Sequence, residues 1–340
     1  MRSLPQGLDR NELIDAVLGY RKAKVLMVAA YLELFDRLER ASSAAVVARR
    51  LSLDSRATEI LLDALAAIGC VVKRGGTYRN TPNASRFLVR GKPGYLGNNL
   101  KFQEIIWDAW GELRHAVRRG GAVRPLEYWL LKHDGFIDEY IGGMDDIAKG
   151  PAREIAAALS LAGPERMLDV GAGPGTYSLA FLRKYPALRA DLLDLPKTLG
   201  LTRRFLAREP RLAARARLMP GDYRKSPFGR GAYDLVLLSH ITHDEGPQVN
   251  RRMIRESWRA LKPGGRIAIH DFTVAPDRTR PLFGALFSVH MLTYTSSGRT
   301  YTSAEYAGWL KEAGFARIVR RPIAAGARNG SQLITAIKEK

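Results

Sequence analysis

The 340-residue chain contains a single cysteine, Cys70, so it cannot form an intrachain disulfide. Its stability must come from buried apolar surface, and a reducing, cytoplasmic setting is the expectation. No apolar run reaches about 18 residues, which argues against a membrane-spanning helix. Met1 to Tyr20 lacks an apolar stretch followed by a small-residue cleavage site, so no secretory leader is expected. Acidic residues are scarce: 34 Asp and Glu stand against 54 Lys and Arg, a formal net charge of +20. The basic residues are nevertheless spread along the chain, in short clusters such as Lys22-Ala23-Lys24, Arg49-Arg50, Arg118-Arg119 and Arg320-Arg321. Aromatic residues do not alternate with them as a base-stacking strip requires, so the charge reads as a solvated surface. Internal repeats and low-complexity segments are also missing.

What is present is enough apolar material, 46% of residues, to build a sizeable core, and by length two domains are expected. Leu13, Val17, Val25, Val28, Ala29, Leu32 and Phe35 recur at helical spacing and predict one long helix with a buried face over residues 10–38. Ser42-Ser43 and Asp54-Ser55 can cap two further helices, ending near Leu51 and Ile68. Residues 70–74 and 77–80 flank Gly75-Gly76, a pair suited to a tight hairpin. Three helices and a hairpin make a winged helix. A DNA-reading third helix needs long polar side chains on its outer face, whereas residues 55–68 offer Arg56, two acids and a mostly apolar remainder. Packing against a partner is the better expectation. Residues 1–100 are therefore assigned to a mainly helical winged-helix domain and 101–150 to a helical linker rich in aromatics, which helps to wall a pocket.

From residue 151 to 340 strands and helices alternate, which predicts an α/β domain with a mostly parallel sheet. Strands are expected at 167–170, 190–193, 233–238 and 266–270, and helices near 176–184, 198–207, 248–261 and 303–313. Between the first strand and helix lies Asp169-Val170-Gly171-Ala172-Gly173-Pro174-Gly175. Glycines there let the backbone turn sharply and let a ligand lie against it. Asp194, in Leu193-Asp194-Leu195-Pro196, follows about 20 residues later, where a carboxylate can accept the two ribose hydroxyls of an adenosine group. Gly221-Asp222-Tyr223 stands where the next strand should end, with Asp222 placed for an adenine amino group and Tyr223 for its ring. The glycine spacing is G-x-G-x-G rather than the G-x-G-x-x-G of dinucleotide sites, and Asp169 discourages a pyrophosphate. Acids at successive strand ends suit a zwitterionic sulfonium cofactor, whose ammonium Asp169 can hold directly or through water.

These motifs, with His243-Asp244 and Lys262-Pro263-Gly264-Gly265, resemble the class I S-adenosylmethionine-dependent O-methyltransferases. The resemblance is closest to the dimeric group containing the caffeic acid, acetylserotonin and hydroxyneurosporene enzymes, and it extends over nearly the whole chain. It implies a Rossmann-like methyltransferase domain, a homodimer formed through the amino-terminal domain and a small-molecule methyl acceptor. It further implies that Gly171, Asp194, Asp222, Tyr223 and Ser239 line the cofactor site, with His243 as general base; the motifs themselves add Asp169, Gly173, Leu195 and Gly221 to that site. Independently, Ser239 to Glu245 follow an apolar strand at its carboxyl end, where open α/β sheets bind ligands. Imidazole, with an unperturbed pKa of about 6.5, is suited to take a hydroxyl proton near neutral pH.

Asp271 is the expected partner that steadies His243, and Phe136, Met144, Phe287, Met291 and Tyr294 are the candidate pocket residues. His240, His243, Asp244, His270 and Asp271 are metal-ligating residue types, but His240 and His243 share a face only in a helix, and no metal is expected. The plant enzymes usually carry Lys, Trp and Glu where Ser239, Glu245 and Asp271 stand, and a second family glutamate is replaced within Gly298 to Thr302. The residues leave open an acceptor that is oxygen, carbon or nitrogen. They also leave, as a rival from another class, a basic ligand-sensing DNA-binding regulator.

Overall fold

The computed structural model describes residues 7–126, 128–129, 135–161 and 165–339, with the side chains of 326–328 left out. The chain divides into two compact units, Met1–Trp107 and Asp108–Lys340.

In the first unit, helix α1 (Arg10–Tyr31) starts at a capping box in which Asp9 accepts from the Glu12 amide and Glu12 accepts from the Asp9 amide. The helix stops at Tyr31 rather than Leu38. Glu33 takes a positive φ of 58° and a short 3-10 turn follows at Phe35–Arg37. The apolar side chains read as helix continuation, Leu34, Phe35 and Leu38, instead fold back into a core with Leu62, Leu65 and Tyr78. A second departure concerns the buried face of α1. Met27, Ala29 and Ala30 are buried, but Leu13, Ile14, Val17 and Leu18 are exposed in the single chain, Val17 by 69%.

Helices α2 (Ala44–Leu51) and α3 (Ser55–Ile68) are capped by Ser43 and Asp54 as expected, and Gly69 closes α3 in the left-handed region at φ 88°. Strands β2 (Val71–Arg74) and β3 (Thr77–Asn80) pair around Gly75-Gly76. Positive φ at both glycines, 51° and 75°, fits a type I′ hairpin turn. Strand β1 (Ser42–Ser43) completes a sheet ordered β1-β3-β2, the wing of the winged helix. The outer face of α3 carries Glu59 and Asp63, both paired with Lys73, next to an exposed Ile60. Helices α4 (Pro82–Leu88) and α5 (Gly97–Ile105) follow.

After a short helical turn at Trp107–Gly111, the second unit contains α6 (Leu113–Arg119) and the long α7 (Phe136–Ala158), which runs through Pro151. Its sheet contains β4 (Arg166–Val170), β5 (Arg189–Asp194), β6 (Ala216–Pro220), β7 (Tyr233–Ser239) and β8 (Leu261–Val274) as neighbours in parallel pairs. Short β9 (Tyr301–Thr302) pairs with β8, while β10 (Phe315–Pro322) and β11 (Ser331–Lys338) add an antiparallel edge. The order along the sheet is β10-β11-β8-β7-β4-β5-β6.

Both faces are covered, which is why β7 reads as a continuous apolar run. Val236 and Leu238 join one core with Met253, Ile254, Tyr306 and Trp309, from α10 (Pro247–Ala260) and α12 (Ser303–Glu312). Leu235 and Leu237 join the other with Ile155 and Phe181, from α7 and α8 (Thr176–Lys184). Parallel pairing then places the carboxyl ends of β4, β5, β6 and β7 along one edge. Because β5 and β7 flank β4, the strand order reverses there, the place where open α/β sheets bind ligands. Helices α9 (Pro196–Leu206) and α11 (Leu282–Tyr294) complete the elements near that edge.

Candidate active site

The chain turns from β4 into α8 through Gly171, Gly173 and Gly175, all at positive φ (68°, 52° and 79°). A Cβ on Gly171 would stand 2.5 Å from Ile241 Cγ2, whereas one on Gly173 would meet no described atom within 4 Å. The loop is thus tight beneath and open above, as a cradle must be. Asp194, at the end of β5, fixes its shape. The carboxylate accepts the Gly173 amide at 2.8 Å and the Leu195 amide at 2.7 Å. Burial raises the pKa of Asp194 despite those donors. Thr202 on α9 donates its hydroxyl to the Gly173 carbonyl at 2.6 Å, and Thr176 donates to Asp145 of α7 at 2.5 Å.

Asp169 is placed differently from its loop neighbours. It is a core residue of β4, 2% exposed, with one oxygen accepting from Ser178 at 2.7 Å. Burial pushes its pKa up to about 7, against the lowering effect of that bond. At the end of β6, a Cβ on Gly221 would lie 2.8 Å from Ser226 Oγ and 2.9 Å from Leu193 Cδ1, so a larger residue there would displace both side chains. Asp222 accepts from the backbone and guanidinium of Arg224, and the Tyr223 hydroxyl donates to Glu245 at 3.0 Å. Glu245 stands where the plant enzymes usually carry Trp. Burial raises its pKa to about 7, partly offset by Arg224. The Ser239 side chain turns into the core, 3.1 Å from His270 Nδ1, which also lies 3.1 Å from the Tyr177 hydroxyl.

After β7 the backbone takes a left-handed step at His240 (φ 53°) and a short 3-10 turn, Thr242–Asp244. Asp271, on neighbouring β8, gathers this turn. Its carboxylate accepts from the Thr242 hydroxyl, the His243 amide at 3.1 Å, His243 Nδ1 at 2.6 Å and the Phe272 amide at 2.8 Å. Asn250 secures the other side by donating to the carbonyls of Thr242 and Glu245. A carboxylate accepts only, so Nδ1 carries the hydrogen and Nε2 is the atom free to take a proton. On that side Asp244 Oδ1 lies 3.6 Å away. At Gly298, in the loop where a family glutamate is replaced, a Cβ would stand 2.3 Å from the His243 carbonyl oxygen, so that position admits no side chain. His243 nonetheless meets two carboxylates. Burial pushes its pKa down, but Asp271 and Asp244 outweigh burial and raise it to about 9. Burial acts to raise the Asp271 pKa, and the charge of His243 overcomes it, leaving Asp271 well below the usual carboxylate range.

His240, His243 and Asp271 bring possible ligand atoms within 4.8 Å of one another. The four donors already on Asp271 leave it little capacity for an ion, and His240 Nδ1 stands 3.7 Å from it. Of the expected pocket residues, Phe287 packs edge-on against His243, with ring centres 4.8 Å apart, and Tyr294 lies one turn beyond His290 on α11. Met291 is fully buried, whereas Met144 is only partly buried. Phe136 is also fully buried, between Trp129 and Tyr140. The sequence reading did not single out Thr242, Asn250 or His290. His290 had one visible signal, as the lone histidine, with no Asp, Glu, Lys or Arg beside it, in the apolar helix 282–294.

A doubly covered parallel sheet, with a glycine cradle and a carboxylate-held histidine at its switch point, defines a Rossmann-like transferase. Comparison with known families gives the class: an O-methyltransferase domain matches residues 111–316, and an O-methyltransferase dimerisation domain matches residues 14–90. The chain belongs to this O-methyltransferase family. It is 32% identical to the 3-hydroxy-5-methyl-1-naphthoate 3-O-methyltransferase of Streptomyces sahachiroi, over 94% of this chain and 93% of that one. It is 28% identical to the tetracenomycin polyketide synthesis 8-O-methyl transferase TcmO of Streptomyces glaucescens, over 89% and 91%. Among solved structures, PigF with SAH superposes with a TM-score of 0.86 at 27% identity, covering 97% of this chain and all of that one. PigF is the S-adenosyl-L-methionine-dependent methyl transferase of a Serratia species. The protein is an S-adenosylmethionine-dependent O-methyltransferase, and its residues fit that cofactor: the cradle is open at Gly173, with a carboxylate, Asp194, beside it.

His243 gains its raised pKa only in the folded protein, where its stabilising effect is complete below the unfolded value of about 6.5 and is lost as pH rises through about 9. Proton NMR of the resting enzyme should therefore give the His243 ring a midpoint near 9. Asp244→Asn should lower that midpoint; an unshifted value near 6.5 in the parent enzyme would contradict the electrostatics.

Proposed function

We propose that this enzyme methylates a hydroxyl group on a planar, polyketide-type aromatic molecule, with His243 as the general base. The observation that carries the reading is the 2.6 Å bond from His243 Nδ1 to Asp271, which leaves Nε2 as the proton acceptor at the carboxyl edge of the sheet. The aromatic acceptor is supported by the names of the Streptomyces relatives and by Phe287, which packs on the base and belongs to an aromatic cluster with Phe272 and Phe283.

S-adenosylmethionine supplies an electrophilic methyl group on sulfur when bound. Gly171 and Gly173 give its polar part close access to backbone, with Asp169 beneath the loop. Asp194 and Leu195 frame the ribose, Gly221, Asp222 and Tyr223 take the adenine, and Ser239 supports the wall from β7. His243 Nε2 removes the acceptor's hydroxyl proton as the oxygen–carbon bond forms and the sulfur–carbon bond breaks. Asp271 positions the ring and stabilises its charge, as an orienting carboxylate does in other histidine bases. Phe287, Met291 and Tyr294, with Phe136 and Met144 on α7, shape the acceptor pocket. The lone Cys70 is in keeping with a cytoplasmic enzyme.

We assign the exposed apolar stripe of α1 (Leu13, Ile14, Val17 and Leu18) to a homodimer interface, because it lies within the segment matched by the dimerisation domain or at its edge. A charge placed on the stripe, Val17→Glu, should convert the dimer to monomer by light scattering; an unchanged mass would remove this face from the interface.

His243→Ala should lower kcat by about a hundredfold or more, the usual contribution of a general base, while calorimetry still detects S-adenosylmethionine binding. Full turnover in that variant would remove His243 from the chemistry.

A further inference from the structure

His290 lies on α11 between Phe287, one turn before it, and Tyr294, one turn after, with ring centres 5.5 Å and 4.8 Å away. Phe287 bridges it to the base, since the same ring packs on His243. His290 is 9% exposed, and its Nδ1 receives a hydrogen bond from the Trp110 indole at 3.0 Å, the two rings only 19° from coplanar. An indole N–H donates and never accepts, so Nδ1 must offer its lone pair. The hydrogen of the neutral ring therefore sits on Nε2, which finds no partner among the described residues. Burial and the nearby His243 charge lower the His290 pKa to about 4, so the ring stays neutral and cannot compete as a second base. Nε2–H is thus a donor that no described residue engages, beside the aromatic side chains that pack on the base, and a ligand group that meets it gains a hydrogen bond.

We infer that His290 Nε2–H is a substrate-orienting donor, which binds a carbonyl or carboxylate oxygen carried on the same aromatic frame as the reacting hydroxyl. The inference deepens the proposed function by naming the acceptor class: hydroxyarenes bearing an oxygen acceptor, preferred over the same hydroxyarenes without one. A site built to hydrogen-bond a substrate group discriminates against the analogue that lacks it, because the analogue forgoes that bond.

The test compares 3-hydroxy-1-naphthoate with 2-naphthol, which carries the same hydroxyl without the carboxylate. The parent enzyme should favour the naphthoate by about tenfold or more in kcat/KM. His290→Phe keeps the ring and loses the donor, and should erase that preference by lowering kcat/KM for the naphthoate while leaving 2-naphthol unchanged. His290→Gln, which restores an N–H donor, should recover part of the preference, and Trp110→Phe, which frees the tautomer, should lose part of it. Equal losses on both substrates in His290→Phe and His290→Gln would make the residue structural and overturn the inference alone. A parent enzyme active on both substrates without preference would also overturn it. A parent enzyme silent on both would overturn the aromatic-hydroxyl reading itself, and the inference with it.

Discussion

Asp271 carries a buried negative charge, and the active edge of the molecule is arranged around satisfying it. Removing a carboxylate from water is costly unless charge and hydrogen bonds replace the solvent. Here the Thr242 hydroxyl, the His243 amide and ring, and the Phe272 amide supply them. Thr242 also hydrogen-bonds with Tyr306, which packs in the core beneath the sheet, so the base loop is tied to the core of the domain. One interaction thus fixes the loop after β7, the orientation of the imidazole and the tautomer that keeps the hydrogen on Nδ1.

The rest follows from strand order. Parallel strands put their carboxyl ends on one side, and the reversal at β4 opens a crevice there. Asp194 at the end of β5 organises the glycine loop much as Asp271 organises the base loop, each by collecting amide hydrogens. The glycine cradle and the histidine loop are therefore each shaped by a carboxylate carried on a strand of the sheet. Glu245 links the histidine loop to the loop after β6: it receives the Tyr223 hydroxyl and directly follows the 3-10 turn that carries His243.

Much of this was legible in the sequence, for identifiable reasons. The alternation of strands and helices, the glycine spacing and the acids at strand ends are local patterns, and local patterns survive into the fold. Helix ends marked by caps, such as Asp54 and Gly69, were found, while the end of α1 was not. Leu34, Phe35 and Leu38 keep a helical spacing, but the tertiary core they enter needs a turn at Glu33. The exposed half of α1 misled for a related reason, since periodicity reports an apolar face without saying what covers it. Within the site, His243 and Asp271 could be named, whereas Asp244 as its second carboxylate, the inward turn of Ser239 and the Trp110–His290 bond depend on side-chain directions that spacing does not encode.

The central claim is that a carboxylate-held His243 takes the proton. The pH dependence of kcat/KM tests it most directly, since that profile reports the pKa of the essential base in the free enzyme. The account predicts a rising limb with an apparent pKa near 9, moved to lower pH in Asp244→Asn and absent in His243→Ala. A limb that stays in place in both variants would place the base elsewhere and contradict the account.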